Sequence, residues 1–272
     1  MDYKRMAEKA FLNDQYCDDT ALNIRKSLHQ KYSTNKQGYN KWLFNQYKFL
    51  NGNKILELGS GNGDIWEPYI DDLTKMIDIT LSDYSQGMVD ILKEKYATTG
   101  VKFQRIDIQN IPFSDKTFDV VIANAMLYHV PNIEKALSEV QRILKPGGTF
   151  YTSTFGEKGL FKYINDCLSE IGIKTSNTMN INFTLQNGKN QLEKIFSVVQ
   201  RVDYEDSLTI TDVMDLVHYI YSLTSISGLK TNNKEDLVQL LESKQKSRGG
   251  RFCLLKVKSS FSVFLVRGDF YF

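Results

Sequence analysis

The sequence predicts an α/β fold in which a doubly wound, mostly parallel sheet carries helices on both faces. Three observations point there. Short apolar runs alternate with helical stretches between residues 53 and 154, and all four prolines (Pro68, Pro112, Pro131, Pro146) fall inside that span. The first run, Ile55-Leu56-Glu57-Leu58, stops abruptly at Gly59-Ser60-Gly61-Asn62-Gly63. Strands that alternate with helices build parallel sheets covered on both sides. Such sheets receive ligands beyond the carboxyl ends of their strands.

Taken in order, strands are expected at 53–58, 76–82, 101–106, 118–123 and 149–154, with helices at 63–72, 85–97 and 132–144. The last helix places Ile133, Ala136, Leu137, Val140, Ile143 and Leu144 at i, i+3, i+4 spacing, an apolar stripe on one face. The first 50 residues read as helices at 7–12, 18–30 and 38–50, the last carrying Trp42, Leu43, Tyr47 and Phe49. Residues 157–272 are mixed, with helices expected at 159–171, 188–196, 211–223 and 234–246. Strands at 197–204, 252–257 and 261–267 are expected to complete the sheet edge. The expected division is therefore an N-terminal helical cap (1–50), a ligand-binding core (51–156), and a helical cap insertion with the final strands (157–272).

Composition narrows the class. The chain has 272 residues, 42% hydrophobic and 24% charged, the balance of a globular protein rather than a disordered or fibrous one. Lys and Arg number 34 against 32 Asp and Glu, a net charge of +2, too even for non-specific phosphate binding to be the main business. Cys17, Cys167 and Cys253 lie far apart without a CxxC, and only three histidines are present. No disulfide framework and no metal site are expected, which fits a reducing compartment. No run approaches the roughly 18 apolar residues of a membrane span, so a cytoplasmic location is expected.

The glycine segment offers sharp turns, close backbone approach and the free N–H groups of a helix start. A dinucleotide fingerprint needs glycine where Asp64 stands, and the Gly-Lys-Ser/Thr of a phosphate loop is absent. The acids Glu57 and Asp64 suit a cationic ligand better than a pyrophosphate; the alternative is a plain tight turn. Asp83, at the end of the second strand, could accept two ribose hydroxyls or cap the helix near Ser85. Asp107, closing the third strand, could accept from the adenine amine with Ile108 beside the ring, or be a turn residue before Pro112.

The order Glu57-Leu58-Gly59-Ser60-Gly61-Asn62-Gly63, Asp83, Asp107-Ile108, Phe118-Asp119-Val120-Val121 and Leu144-Lys145-Pro146-Gly147-Gly148 resembles the class I S-adenosylmethionine-dependent methyltransferases, and within them the methyltransferase type 11 group. The resemblance covers roughly residues 40–156. It implies a Rossmann-like sheet of seven strands in the order 3-2-1-4-5-7-6, the seventh antiparallel, with 197–204 and 261–267 as the last two. It implies S-adenosyl-L-methionine as cofactor. Gly59 and Gly61 would then run under its methionine part, Asp83 would hold the ribose, and Met88 would pack on the adenine. Asp107 and Ile108 would bracket the adenine amine, and Asn124 would approach the methionine moiety.

Methyl transfer is an in-line displacement that consumes charge, so the site needs alignment and dryness more than acid–base power. A base matters only where the acceptor holds its proton tightly. His129 is the candidate base or orienting group, with packing under its loop as the alternative. Tyr128 is the second catalytic candidate and faces the same choice, with an aromatic wall for the cofactor cation as its functional option. The polar linker 30–37 is expected to be a mobile lid that brings Tyr32 onto the methionine end, with a plain exposed connection as the alternative. A small-molecule acceptor is favoured. Seven basic residues between Lys244 and Arg267 leave RNA methylation open, although Asn124-Ala125-Met126-Leu127 lacks the Pro-Pro-aromatic run of exocyclic-amine nucleic-acid enzymes. A binding protein that holds the cofactor without turnover is the third reading.

Overall fold

Residues 16–173, 181–223, 229, 233–247, 252–254 and 261–267 are described by the computed structural model. The strands are Lys54–Leu58 (β1), Asp78–Asp83 (β2), Lys102–Arg105 (β3), Phe118–Asn124 (β4), Leu144–Phe155 (β5), Val198–Tyr204 (β6), Leu208–Ile210 (β7), Phe252–Leu254 (β8) and Phe261–Arg267 (β9). Seven of them form one sheet in the order β3-β2-β1-β4-β5-β9-β6. The first five run parallel, and β9 is antiparallel to both β5 and β6. This is the order and the polarity that the sequence implied.

Helices Thr20–Tyr32 (α1), Tyr39–Phe44 (α2), Ile70–Leu73 (α3), Gln86–Lys95 (α4), Ile133–Ile143 (α5), Leu160–Glu170 (α6), Gly188–Leu192 (α7), Val213–Ser222 (α8) and Lys234–Lys246 (α9) surround it. Strand β4 shows how the two faces divide. Val121 and Ala123 point to one side and Val120 and Ile122 to the other, as the period of two requires. On the first side the apolar stripe of α5 (Ile133, Ala136, Leu137, Val140, Ile143) packs on Leu56 and Phe150. The Asn132 side chain caps that helix by accepting from Lys135 N at 2.9 Å. On the second side Trp42, Tyr47 and Trp66 pack on Ile55, Val120 and Tyr151.

A third apolar cluster lies outside the sheet and joins chain segments far apart in sequence: Leu28 and Tyr32 of α1, Ile164 and Leu168 of α6, Leu216 and Ile220 of α8, and Leu237 and Leu241 of α9. This cap cluster also takes in Phe155, the last residue of β5.

Several expected elements are shorter or placed elsewhere. The helix expected at 63–72 is confined to α3. Before it the chain makes successive tight turns, Trp66 N to Gly63 O at 2.9 Å and Tyr69 N to Trp66 O at 2.8 Å. Pro68, with no N–H to donate, cannot sit inside a regular helix there. The helix expected at 38–50 ends at Phe44. Strand β8 does not extend the main sheet; it pairs with the unforeseen β7 as a separate two-stranded ribbon, and residues 255–257 of that expected strand lie outside the described residues. The helix expected at 7–12 lies outside them too. Among the described residues no helix is long and apolar enough to cross a membrane.

Candidate active site

The site grows out of the end of β1. Gly59 (φ 71°) and Gly61 (φ 56°) take the left-handed conformation that favours glycine. A Cβ on Gly59 would lie 2.8 Å from Met126 Cγ, so only glycine lets the loop pass under the β4 end. Gly61 N donates to Asp83 Oδ2 at 2.9 Å, and Ser85 N donates to Oδ1 of the same carboxylate at 2.9 Å. Asp83 therefore ties the glycine loop to the end of β2. It sits close to the helix start, but the α4 N-cap position is Ser85, without a side-chain cap bond. Burial pushes the Asp83 carboxyl above its ordinary range, while these N–H groups pull it back.

Beside the loop, Glu57 is buried and accepts from Trp66 Nε1 at 2.6 Å and from Asn124 Nδ2 at 3.3 Å. Burial raises its carboxyl as well. Asn124 Nδ2 also donates to the Tyr47 hydroxyl at 2.6 Å, whereas Asn124 Oδ1 is buried without a partner. An orphaned acceptor is costly unless a ligand donates to it. The next residue, Ala125, is held at φ 48°, a strained conformation for a residue with a Cβ, with its N–H on Ser153 O at 2.9 Å. On the other flank Asp107 Oδ1 accepts from Gln109 N at 2.9 Å, and Ile108 is buried in the wall.

These residues face one cavity of about 630 Å³ that Gly59, Gly61, Asp83, Asp107, Ile108, Asn124, Tyr128 and His129 all line. That size suits a small-molecule or cofactor site. Tyr128 packs edge-on to Phe155 with ring centres 4.8 Å apart, and burial holds its hydroxyl well above the usual phenol range. His129 is buried on a single 3-10 turn, and the Tyr16 hydroxyl lies 3.0 Å from its Nε2. Tyr16 belongs to a strap ahead of α1. Its carbonyl accepts from Ser85 Oγ at 2.6 Å, and Asp19 accepts from Asn62 Nδ2 at 3.1 Å.

Three expectations need correction. Tyr32 does not face the cavity: it is buried in the cap cluster and donates to Asp215 Oδ2 at 2.6 Å. The linker beside it is anchored, because Ser33 Oγ (2.8 Å) and Asn35 N (3.0 Å) both donate to Asp206 and Thr34 N donates to Ser207 O (2.9 Å). The Asp206 carboxylate thus serves this loop. Met88 is fully buried in the packing of α4 and does not line the cavity. Asp64 offers no spare charge to a cation, since Lys26 and Lys95 each pair with it at 2.7 Å. Burial pushes its carboxyl up, but the two ammonium groups hold it below its ordinary value.

Sequence reasoning missed Tyr16, Arg25 and Met126 as cavity residues, and took Tyr47 only as apolar area. Nothing local marks them. Tyr16 meets His129 across 113 positions, and Arg25 reaches Ser222 across 197. Of the basic residues between Lys244 and Arg267, Arg248, Arg251, Lys256 and Lys258 lie outside the described residues, while Lys244 pairs with Glu170 at 2.8 Å.

Residues 56–152 match the family model described as a methyltransferase domain. That segment is a methyltransferase domain, similar to those of the class I S-adenosylmethionine-dependent methyltransferases. Two curated relatives match part of the chain. Sterol 4-C-methyltransferase strm-1 of Caenorhabditis elegans is 36% identical over 99 residues, 35% of this chain and 29% of that protein. Ubiquinone/menaquinone biosynthesis C-methyltransferase UbiE of Bartonella bacilliformis is 32% identical over 110 residues, 39% of this chain and 42% of that one. The chain thus aligns with less than half the length of either. Among solved structures, the [4+2]-cyclase SpnF shares the fold over 97% of both chains, with a TM-score of 0.59 and 15% identity. A fold shared with a protein named as a cyclase does not fix the reaction by itself.

Proposed function

We propose that the protein is an enzyme that moves a methyl group from S-adenosyl-L-methionine to an O, N or C nucleophile of a small-molecule acceptor by in-line displacement. The observation that carries this reading is the convergence on one cavity of the Asp83–Gly61 tie, the orphaned Asn124 Oδ1 and the buried His129. The residues fit the cofactor on their own chemistry. Asn124 Oδ1 and the buried Glu57 suit an ammonium group, the glycine loop leaves room under a chain, and Asp83 suits a diol. Asp107 and Ile108 form a polar–apolar pair of the kind that brackets an adenine edge.

When bound, the cofactor supplies a sulfonium-activated methyl. The protein's part is alignment and dryness. Tyr128, Phe155 and the cap residues wall off water, and His129 is placed to take or orient an acceptor proton at Nε2, where the Tyr16 hydroxyl now lies. The names of the two relatives, a sterol and a quinone C-methyltransferase, support a ring compound as acceptor. Cys17 is exposed and Cys167 buried, both free, which supports a reducing, cytoplasmic setting.

Calorimetry with S-adenosylmethionine and S-adenosylhomocysteine tests the cofactor, and labelled methyl transfer into metabolite pools and RNA tests the reaction. Both nucleosides are expected to bind, with label entering small molecules. Binding of NAD in their place overturns the reading. Label entering RNA alone transfers it to a nucleic-acid enzyme.

A further inference from the structure

Arg25 is a cation with one buried nitrogen left without a partner. It stands on α1, where Nη1 donates to Ser222 O at the end of α8 at 2.8 Å, a useful contact because a helix end presents unpaired carbonyls. That contact needs one nitrogen. Nη2 is buried without a partner, and among the described residues no carboxylate pairs with the guanidinium. The residue lines the same cavity as Tyr128, His129 and Tyr219. A guanidinium with a buried, unpartnered nitrogen gains most from an anionic oxygen.

The chain itself shows what shape fits there. The Tyr16 ring lies 5.8 Å from the Arg25 guanidinium carbon and meets the His129 ring edge-on at 5.6 Å, while its hydroxyl touches Nε2. A phenol thus already occupies the space between the cation and the imidazole. Resting on the methyltransferase reading above, we propose that the acceptor is a phenol bearing an anionic group, which displaces Tyr16, sets its hydroxyl on His129 and its anionic oxygen on Arg25.

The test uses the whole protein saturated with S-adenosylhomocysteine, titrated with 4-hydroxybenzoate, its methyl ester, and benzoate. Loss of S-adenosylhomocysteine binding would defeat the methyltransferase reading and is scored separately. The acid is expected to bind about tenfold or more tighter than the ester, as for a hydrogen bond to a charged group. Benzoate, without the hydroxyl, should bind more weakly than 4-hydroxybenzoate. Arg25→Gln should erase the acid–ester gap while S-adenosylhomocysteine affinity stays. Tyr16→Ala should tighten binding of 4-hydroxybenzoate by removing its competitor. Equal binding of acid and ester, no binding of 4-hydroxybenzoate, or weaker binding in Tyr16→Ala would each overturn the proposal.

Discussion

The two walls of the cavity are built on opposite plans. The sheet wall is held by backbone N–H groups and carboxylates near each other in the chain: Gly61 and Asp83 are 22 positions apart, and Ser85 and Asp83 two. The cap wall is held by side chains that meet from remote segments, Tyr16 with His129, Arg25 with Ser222, and Tyr32 with Asp215. A wall fixed by its own turns is set wherever the sheet forms. A wall assembled from α1, α6, α8 and α9 depends on how those helices dock, and its contacts can be exchanged one at a time. The first wall suits a ligand common to a whole family; the second suits an acceptor peculiar to one protein.

The sharpest way to break this contrast is Asp83→Ala. It should weaken S-adenosylhomocysteine by about 1.5–3 kcal/mol, the scale of hydrogen bonds to a charged group, with acceptor-side residues unmoved. Calorimetry together with a melting curve reads it. Unchanged affinity would mean that Asp83 serves only the loop.

A smaller effect tests the strap. A Cβ on Gly87 would lie 2.1 Å from the Cys17 carbonyl oxygen. In a free helix Gly→Ala stabilises by about 1 kcal/mol, so the sign of the change is diagnostic. With the strap seated, Gly87→Ala should gain nothing in stability and should raise hydrogen exchange at residues 16–22. A plain gain in melting temperature with unchanged exchange would show that the strap does not rest there.

The smallest effect concerns acid. Burial lowers His29 from 6.5 to about 4, against a weaker upward pull from Asp206. The unfolded chain takes up this proton below pH 6.5 and the folded chain only below about 4. Stability from this group is therefore full above 6.5, falls as the pH drops toward 4, and falls no further beneath it. His29→Phe should flatten that part of the pH–stability curve measured by urea unfolding. A curve with the same slope would place the acid sensitivity elsewhere.

The contrast also explains what could be read from the sequence. Strands β1, β2 and β4 and the residues Gly59, Gly61, Asp83 and Asp107 were legible because their structure is decided by neighbours: an apolar run, a glycine, an acid at a strand end. The placement of β9 between β5 and β6 came from the family resemblance rather than from any local pattern. Tyr32 was misread because its polar surroundings, 30–37, look mobile in one dimension. In three dimensions Asp206, far along the chain, accepts three of that loop's donors. Met88 failed for a related reason, since a helical apolar residue after β2 serves the core and a ligand wall equally well until the depth of the helix is known.

Strand β9 pairs on one side with β5 and on the other with β6, and this has a consequence for how the chain comes to be folded. During synthesis β6 leaves the ribosome about sixty residues before β9, and in that interval it has no neighbour in the sheet. Until Phe261–Arg267 arrives, both β5 and β6 present open edges, the kind that pair wrongly with other chains. The glycine-loop half is complete long before then. The sheet wall of the cavity is thus made early, and the last strand acts as the closing stitch that commits the rest.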